Sequence, residues 1–256
     1  MTGRLEGRAV FVTGGGAGIG RGISLAMARE GATVAVADID VDAARAVAAE
    51  ASGAGGPGVG RGLAYQCDVS DRDMVHGAMD AFVAEAGRLD VLVNNAVMFH
   101  YAPLVDMPSD VAVRMLQVGI AGTFWSLQAG TPHLIASGGG AVINLSSVAV
   151  SFAIRNAAVY SSIKGAIDAL TRQQAAELGV HGIRVNALAP GPVSTPGANS
   201  VIDEDGWRAR QARTPLRRLA TPEQIGAAAV YLASDDAAAV TGVTLKIDGG
   251  ITIVGP

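Results

Sequence analysis

Short apolar, β-branched runs recur along the whole chain, at Ala9 to Thr13, Thr33 to Ala37, Val91 to Val93, Ala141 to Leu145, Ile183 to Ala187 and Val243 to Ile247, with a weaker run at Leu63 to Cys67. Strands so continuously apolar are buried on both faces, because neither side of the pleat meets water. Between them apolar residues return at helical spacing, as at Ile19, Ile23 and Met27 and again at Ile163, Ile167 and Leu170. Strand and helix in alternation predict an α/β fold, a doubly wound parallel seven-stranded sheet with helices on both faces. Thr221-Pro222-Glu223-Gln224 sets a capping Thr before a first-turn Pro, with Gln at the third helical position, and marks the start of a late helix. No linker or composition break interrupts the alternation, so residues 1–256 are expected to form a single domain. The stretch Gly53 to Gly62 holds six glycines in ten residues. No strand feeds it and no capped helix follows it, so it is expected to be a flexible surface connection rather than a phosphate loop.

Half of the 256 residues are hydrophobic, enough for a substantial core. Lys and Arg number 19 against 23 Asp and Glu, for a formal net charge of −4 without a basic block, so neither nucleic acid nor an anionic membrane is an expected partner. The lone cysteine, Cys67, and four histidines without metal-ligand spacing suit a reducing cytoplasm and no structural metal. The first apolar run is too short for a signal sequence, and export is not expected. Residues 115–154 contain no Asp, Glu, Lys or Arg, yet Gln117, Gln128, Pro132, His133 and Gly138 to Gly140 break the run, so no membrane span is expected there. With a mean hydropathy of +0.35, the segment is expected to lie mid-sheet and to meet another subunit.

The first strand runs into Thr13-Gly14-Gly15-Gly16-Ala17-Gly18-Ile19-Gly20 and then a helix. Glycines let the backbone turn tightly and approach a dinucleotide pyrophosphate, and the helix N-terminus offers free N–H groups and partial positive charge. Gly14, Gly18, Ile19 and Gly20 are therefore candidate cofactor residues. Asp38 ends the second strand, 18 residues after Gly20, where a carboxylate accepts hydrogen bonds from ribose hydroxyls and repels a 2′-phosphate. The turn has no Arg or Lys, and Ile39 follows Asp38, which together predict NAD as the cofactor rather than NADP.

The series Thr13-Gly14-x-x-x-Gly18-x-Gly20, Asp68-Val69, Asn94-Asn95-Ala96, Ser147, Tyr160-x-x-x-Lys164, Asn186 and Pro190-Gly191, down to Asp248-Gly249-Gly250, resembles the short-chain dehydrogenases/reductases over essentially the whole chain. The resemblance implies a Rossmann-like fold and an oxidoreductase acting on CH–OH groups. A detail internal to the chain agrees: one of its two lysines stands four residues after one of its four tyrosines. Oxidising a secondary alcohol requires a base at the hydroxyl while carbon gives up hydride. A tyrosine, with an ordinary pKa of about 10, has to be lowered by roughly two to three units for that task. Lys164, one helical turn from Tyr160, is expected to lower it together with the cationic nicotinamide. By resemblance Lys164 also binds the nicotinamide ribose, and Ser147 is the hydroxyl that holds the reacting oxygen. The catalytic set is thus Ser147, Tyr160 and Lys164, with Ser146 rejected on spacing. The resemblance further implies Asp68 and Val69 at the adenine, Asn94 and Ala96 at the adenosine ribose and in support of the sheet, and Pro190, Gly191, Val193 and Thr195 at the nicotinamide carboxamide. A homotetramer is implied as well.

Two positions depart from the family pattern. Val97 stands where Gly is usual, and Gly119 replaces an Asn whose main-chain carbonyl is held to anchor a water beside the lysine. Gly119 supplies that carbonyl if the helix keeps its local distortion, so Gly119→Asn is expected to be mild. Substrate contacts are expected from Met98 to Leu104, Val148 to Arg155 and Thr195 to Pro215, the last as a mobile lid. Phe99, Tyr101 and Phe152 suggest an apolar pocket, and no arginine cluster stands out, so a neutral, small to medium secondary alcohol or ketone is the expected substrate. The alternative is an NADPH-dependent ketoreductase, for example of acyl thioesters, which Asp38 opposes. An NAD-binding regulatory protein without catalysis is opposed by Ser147, Tyr160 and Lys164.

Overall fold

The computed structural model describes residues 3–53, 60–199 and 202–254. Its seven strands are β1 (Ala9–Thr13), β2 (Thr33–Asp38), β3 (Arg61–Gln66), β4 (Val91–Asn94), β5 (Gly140–Leu145), β6 (Ile183–Pro190) and β7 (Thr244–Ile247). They form one sheet in the order β3-β2-β1-β4-β5-β6-β7, parallel throughout. The helices described are α1 (Gly18–Arg29), α2 (Val41–Gly53), α3 (Arg72–Ala86), α4 (Ser109–Leu116), α5 (Gly122–Ala136), α6 (Ala158–Leu178), α7 (Pro196–Asn199), α8 (Glu204–Arg213) and α9 (Pro222–Ala233). The expected strands are all present, with ends shifted by a few residues. Most of the glycine-rich stretch, residues 54–59, lies outside the described residues.

Strand alternation divides the core into two layers. Val10 and Val12 of β1 and Val91 and Val93 of β4 pack with Ile23 and Met27 of α1, Val47 of α2 and Ile225 and Val230 of α9. Phe11 and Leu92, pointing the other way, pack with Met79 and Phe82 of α3, Leu127 and Leu134 of α5 and Leu178 of α6. Capping is as the sequence predicts at α9, where Thr221 and Gln224 form a reciprocal capping box. α9 lies almost backbone to backbone on α1, since a Cβ on Gly22 would meet the Pro222 carbonyl oxygen at 2.5 Å and one on Gly226 the Gly22 oxygen at 2.6 Å. No described helix is long and apolar enough to cross a membrane.

Asp90 holds the N-terminal edge of the sheet, the edge away from the glycine turn. Its carboxylate is almost fully buried and accepts from Ala9 N–H at 2.8 Å, from Arg88 at 2.8 and 2.7 Å and from Arg8 at 3.3 Å. Its backbone accepts from Ala141 and donates to Ala9, so one residue joins β1, β4 and β5. Asp90→Ala leaves a buried Ala9 N–H without a partner, and a loss of about 1–3 kcal/mol of stability is expected. Urea unfolding measures it; a change under about 0.5 kcal/mol, the scale of ordinary surface substitutions, would contradict it.

Candidate active site

Strand order reverses between β1 and β4, and at their C-terminal ends the chain opens into a cleft of about 860 Å³. The glycine turn forms one wall. Asn95 donates through Nδ2 to the carbonyls of Thr13 and Gly14, at 3.0 and 2.9 Å, while Thr13 Oγ1 accepts from the N–H groups of Asn95 and Ala96. A Cβ on Gly14 would stand 2.8 Å from Ala96 Cα, and one on Gly20 1.9 Å from the Gly14 oxygen, so glycine is required at both positions. Ala17 opens α1 without a side-chain cap and no acidic residue lies in the first turn. The first N–H groups of the helix are thereby left to an anion, which suits a dinucleotide pyrophosphate. Asp38 ties β2 to the turn: its Oδ2 accepts Gly16 N–H at 2.9 Å and its Oδ1 accepts Asp40 N–H at 3.1 Å.

Gly14, Gly18, Ile19, Gly20, Asp38, Asp68, Val69, Ala96, Pro190, Gly191, Val193 and Thr195 all line this cleft, as do Ser147, Tyr160 and Lys164. Gly191 approaches Asp248 so closely that a Cβ would stand 2.8 Å from its Cα, and Thr195 faces Gly18 across the cleft. Asn94 is the exception. Its side chain is buried in the sheet, donating to Asn144, which donates in turn to Thr171 of α6, each at 2.9 Å. Its side chain supports the sheet, as expected, without lining the cleft, and the residue that shapes the turn is Asn95.

Asp68 is held by Arg114 of α4 at 2.7 Å and by Ser70. Burial raises its carboxyl, but these hydrogen bonds and the guanidinium charge outweigh that and hold it below the usual aspartate value. Arg114 was not singled out from the sequence; the available signal was its position as the last charge before the uncharged run 115–154.

Ser147 ends the β5 loop, and its Oγ accepts Ala149 N–H at 3.1 Å, capping the short turn Val148–Val150. Tyr160 and Lys164 lie on successive turns of α6, with Lys164 Nζ 5.7 Å from the Tyr160 ring centroid. Burial pushes the Tyr160 phenol up to about 12, and a hydrogen bond with Ser147 opposes it. Lys164 Nζ stands over the Tyr160 ring and donates to the Leu145 carbonyl at 2.6 Å. Burial also pushes the Lys164 ammonium down to about 8.

Gly119 lies in a π-helical turn, Gln117–Ala121, so the distortion that the sequence required is present. Its carbonyl accepts from Thr123 Oγ1 at 2.9 Å. A Cβ at this position would stand 2.5 Å from Ile163 Cγ2, so in Gly119→Asn the branch of a packed core residue has to move.

Beyond Tyr160 the cleft is aromatic. The Tyr101 ring lies 5.9 Å from Tyr160 and 5.9 Å from Phe99. Met98, Phe152 and Arg155 also line the wall, and α8 adds Trp207, Arg210 and Arg213. His100 is exposed and is not among the lining residues. Three arginines thus line the cleft, which corrects the premise that the chain has no arginine cluster; Arg210 and Arg213 are three positions apart, and folding adds Arg155 from more than 50 positions away.

A family model described as "Enoyl-(Acyl carrier protein) reductase" matches residues 14–252. D-threitol dehydrogenase of Mycolicibacterium smegmatis is 38% identical over 193 residues, 75% of this chain and 74% of that protein. Cis-4-hydroxycyclohexanecarboxylate dehydrogenase of Sinomonas cyclohexanicum is 38% identical over 195 residues, 76% and 78% of the two chains. Among solved structures, 7α-hydroxysteroid dehydrogenase complexed with NADH and 7-oxoglycochenodeoxycholic acid superposes with a TM-score of 0.91 at 35% identity, over 96% of this chain and 95% of that one.

The buried lysine generates a stability prediction. The folded value of about 8 lies below the ordinary 10.5, so at neutral pH folding carries an ammonium out of water, at a cost on the order of 3 kcal/mol. The penalty is full below pH 8 and fades as pH rises towards 10.5. Lys164→Met, which forgoes the bond to Leu145 and the charge over the Tyr160 ring, is expected to be more stable than the native chain at pH 7 by about 1–3 kcal/mol. Unfolding curves across pH should show that margin closing above pH 8; a less stable variant at pH 7 would refute it.

Proposed function

The chain belongs to the short-chain dehydrogenase/reductase family and is an oxidoreductase of CH–OH groups that uses a nicotinamide cofactor, and we propose that it is NAD-dependent, interconverting a small to medium secondary alcohol and its ketone with Tyr160 as the acid and base. The observation that carries this reading is the meeting of Ser147, Tyr160 and Lys164 in the cleft that the uncapped glycine turn also lines.

The bound nicotinamide supplies the hydride acceptor or donor. In reduction, Tyr160 Oη, kept protonated by its burial, donates its proton to the carbonyl oxygen. The phenolate that remains is held by the Ser147 hydroxyl and by the Lys164 charge above the ring. In oxidation the same oxygen must first lose its proton, so oxidation is expected to quicken as pH rises. Lys164, with a value of about 8, is mostly charged at neutral pH and retains this role. Relatives named for a polyol, a cyclic hydroxy acid and a steroid share the reaction class, and their differing substrates agree with an aromatic pocket built from loops.

NAD is favoured by Asp38, whose carboxylate lines the cleft with exposed Ile39 beside it and no basic residue in the turn. We further infer a homo-oligomer, a tetramer by family resemblance, because Val113, Leu116, Phe124 and Ile135 on α4 and α5 and Ile253 at the C-terminal end are exposed. The free, buried Cys67 suits the cytoplasm.

Tyr160→Phe is expected to bind NADH and to turn over at less than a few per cent of the native rate; cofactor fluorescence and absorbance assays separate the two, and near-native turnover would place the base elsewhere. The native enzyme should show higher kcat/KM with NAD(H). Asp38→Ala combined with Ile39→Arg should move the ratio towards NADP(H) by about tenfold or more, ~1.4 kcal/mol; an unchanged ratio would remove Asp38 as the discriminator. Light scattering should return a multiple of 25.8 kDa at micromolar concentration, and a monomer mass would overturn the oligomer.

A further inference from the structure

The charged residues that line the cleft are unevenly distributed. Asp38 and the Asp68–Arg114 pair belong to the β2 and β3 side, beside the glycine turn. Around Tyr101 and α8 stand Arg155, Arg210 and Arg213, and among the described residues no carboxylate lines that end. In a chain of net charge −4, a local concentration of guanidinium groups at a cleft mouth runs against the overall sign.

Arg210 is the innermost of the three, half-buried where Arg155 and Arg213 are exposed. Its guanidinium lies 5.9 Å from the Trp207 ring and donates once, through Nη1, to the Gly206 carbonyl at 2.9 Å. Its charge is felt by the Tyr101 phenol, whose ring packs against Tyr160. None of the nearby acids forms an ion pair with it, although Asp203 Oδ1 and Arg210 Nη1 both stand 3.0 Å from the place a Gly206 Cβ would occupy. Glu204 and Asp205 pair with Arg208, and Asp203 caps the helix by accepting Gly206 N–H. Arg210 and Arg213, three residues apart, share one helix face. A guanidinium that spends one of its five donors on a carbonyl keeps others for a planar bidentate acceptor.

We propose that Arg210, supported by Arg155 and Arg213 at the mouth, binds a carboxylate of the substrate, so that the enzyme acts on hydroxy and oxo acids whose acid group lies remote from the reacting carbon. This deepens the reaction assigned to Tyr160 and rests on it for the direction in which the substrate lies. It replaces the neutral substrate expected from sequence. Carboxylate enters past Arg155 and Arg213, docks on Arg210, and the aliphatic span crosses Tyr101 and Phe99 to bring the carbonyl to Tyr160.

The test uses 4-oxopentanoate, 5-oxohexanoate and 6-oxoheptanoate, each beside its primary amide, which keeps the shape and removes the charge. Binding to the protein–NADH complex is followed by nicotinamide fluorescence, and turnover by absorbance. At least one acid is expected to bind and react at least tenfold better than its amide. Arg210→Gln should bring that ratio close to one through KM rather than kcat, and Arg210→Lys should restore part of it. Equal acid and amide in the native protein would overturn the site. So would a preference that survives Arg210→Gln, or a variant that weakens both compounds alike, or one that instead weakens NADH, which would assign Arg210 to the cofactor. Binding of acids over amides without any turnover would uphold the arginine site and count against the catalytic reading, so the two can fail separately.

Discussion

The amide of Asn95 grips the carbonyls of Thr13 and Gly14 while the Thr13 hydroxyl accepts from the backbone that follows β4, and the cleft depends on this clasp. In a parallel sheet wound outward from its centre, β1 and β4 send their following segments in opposite directions, so their ends separate. A gap between two central strands exposes backbone groups that need partners. Two side chains supply them, Asn95 for the carbonyls after β1 and Thr13 for the N–H groups after β4, and together they set the glycine turn at a fixed distance from Ala96. Glycine is needed there because the approach is closer than a Cβ permits, not for flexibility.

Polar groups buried behind the cleft carry the same logic into α6. Asn94, Asn144 and Thr171 form a chain of hydrogen bonds from β4 through β5 to the helix that bears Tyr160 and Lys164, and the Thr171 hydroxyl donates in turn to the Ile167 carbonyl. A fully apolar contact would hold that helix against the sheet but would leave its rotation and register loosely defined. Directional bonds between three elements define both, and the position of the phenol follows from them. The lysine is the costly member of the arrangement. A buried ammonium whose one bond is to a carbonyl lowers stability, and its retention agrees with a role in the reaction rather than in the fold.

Strand positions were legible because continuous apolar runs leave little choice of environment, and the glycine turn because its spacing and its place after β1 repeat a known solution. The capping box at Thr221 was legible for the same reason: both partners lie within one helical turn. What escaped notice was long-range. Arg114 reaches Asp68 across 46 positions, and Arg155 joins Arg210 and Arg213 in lining the cleft from a loop that carries no periodic signal. The burial that raises Tyr160 was not legible for a different reason. Spacing of four along a helix brings Lys164 beside the Tyr160 ring but does not say where Nζ points, and the Leu145 carbonyl competes for it.

The glycine contact between α1 and α9 has a consequence for how the chain is made. Gly22 and Gly226 meet although roughly 200 residues separate them, and parallel sheets with such distant partners close slowly. On a ribosome adding roughly 5 to 20 residues per second, α1 emerges about 10 to 40 seconds before the helix that covers it. For that interval the face of Gly22 and Ala26 lies open to other chains, and the nascent N-terminal half is the stage at which chaperone shielding would raise the yield of folded protein.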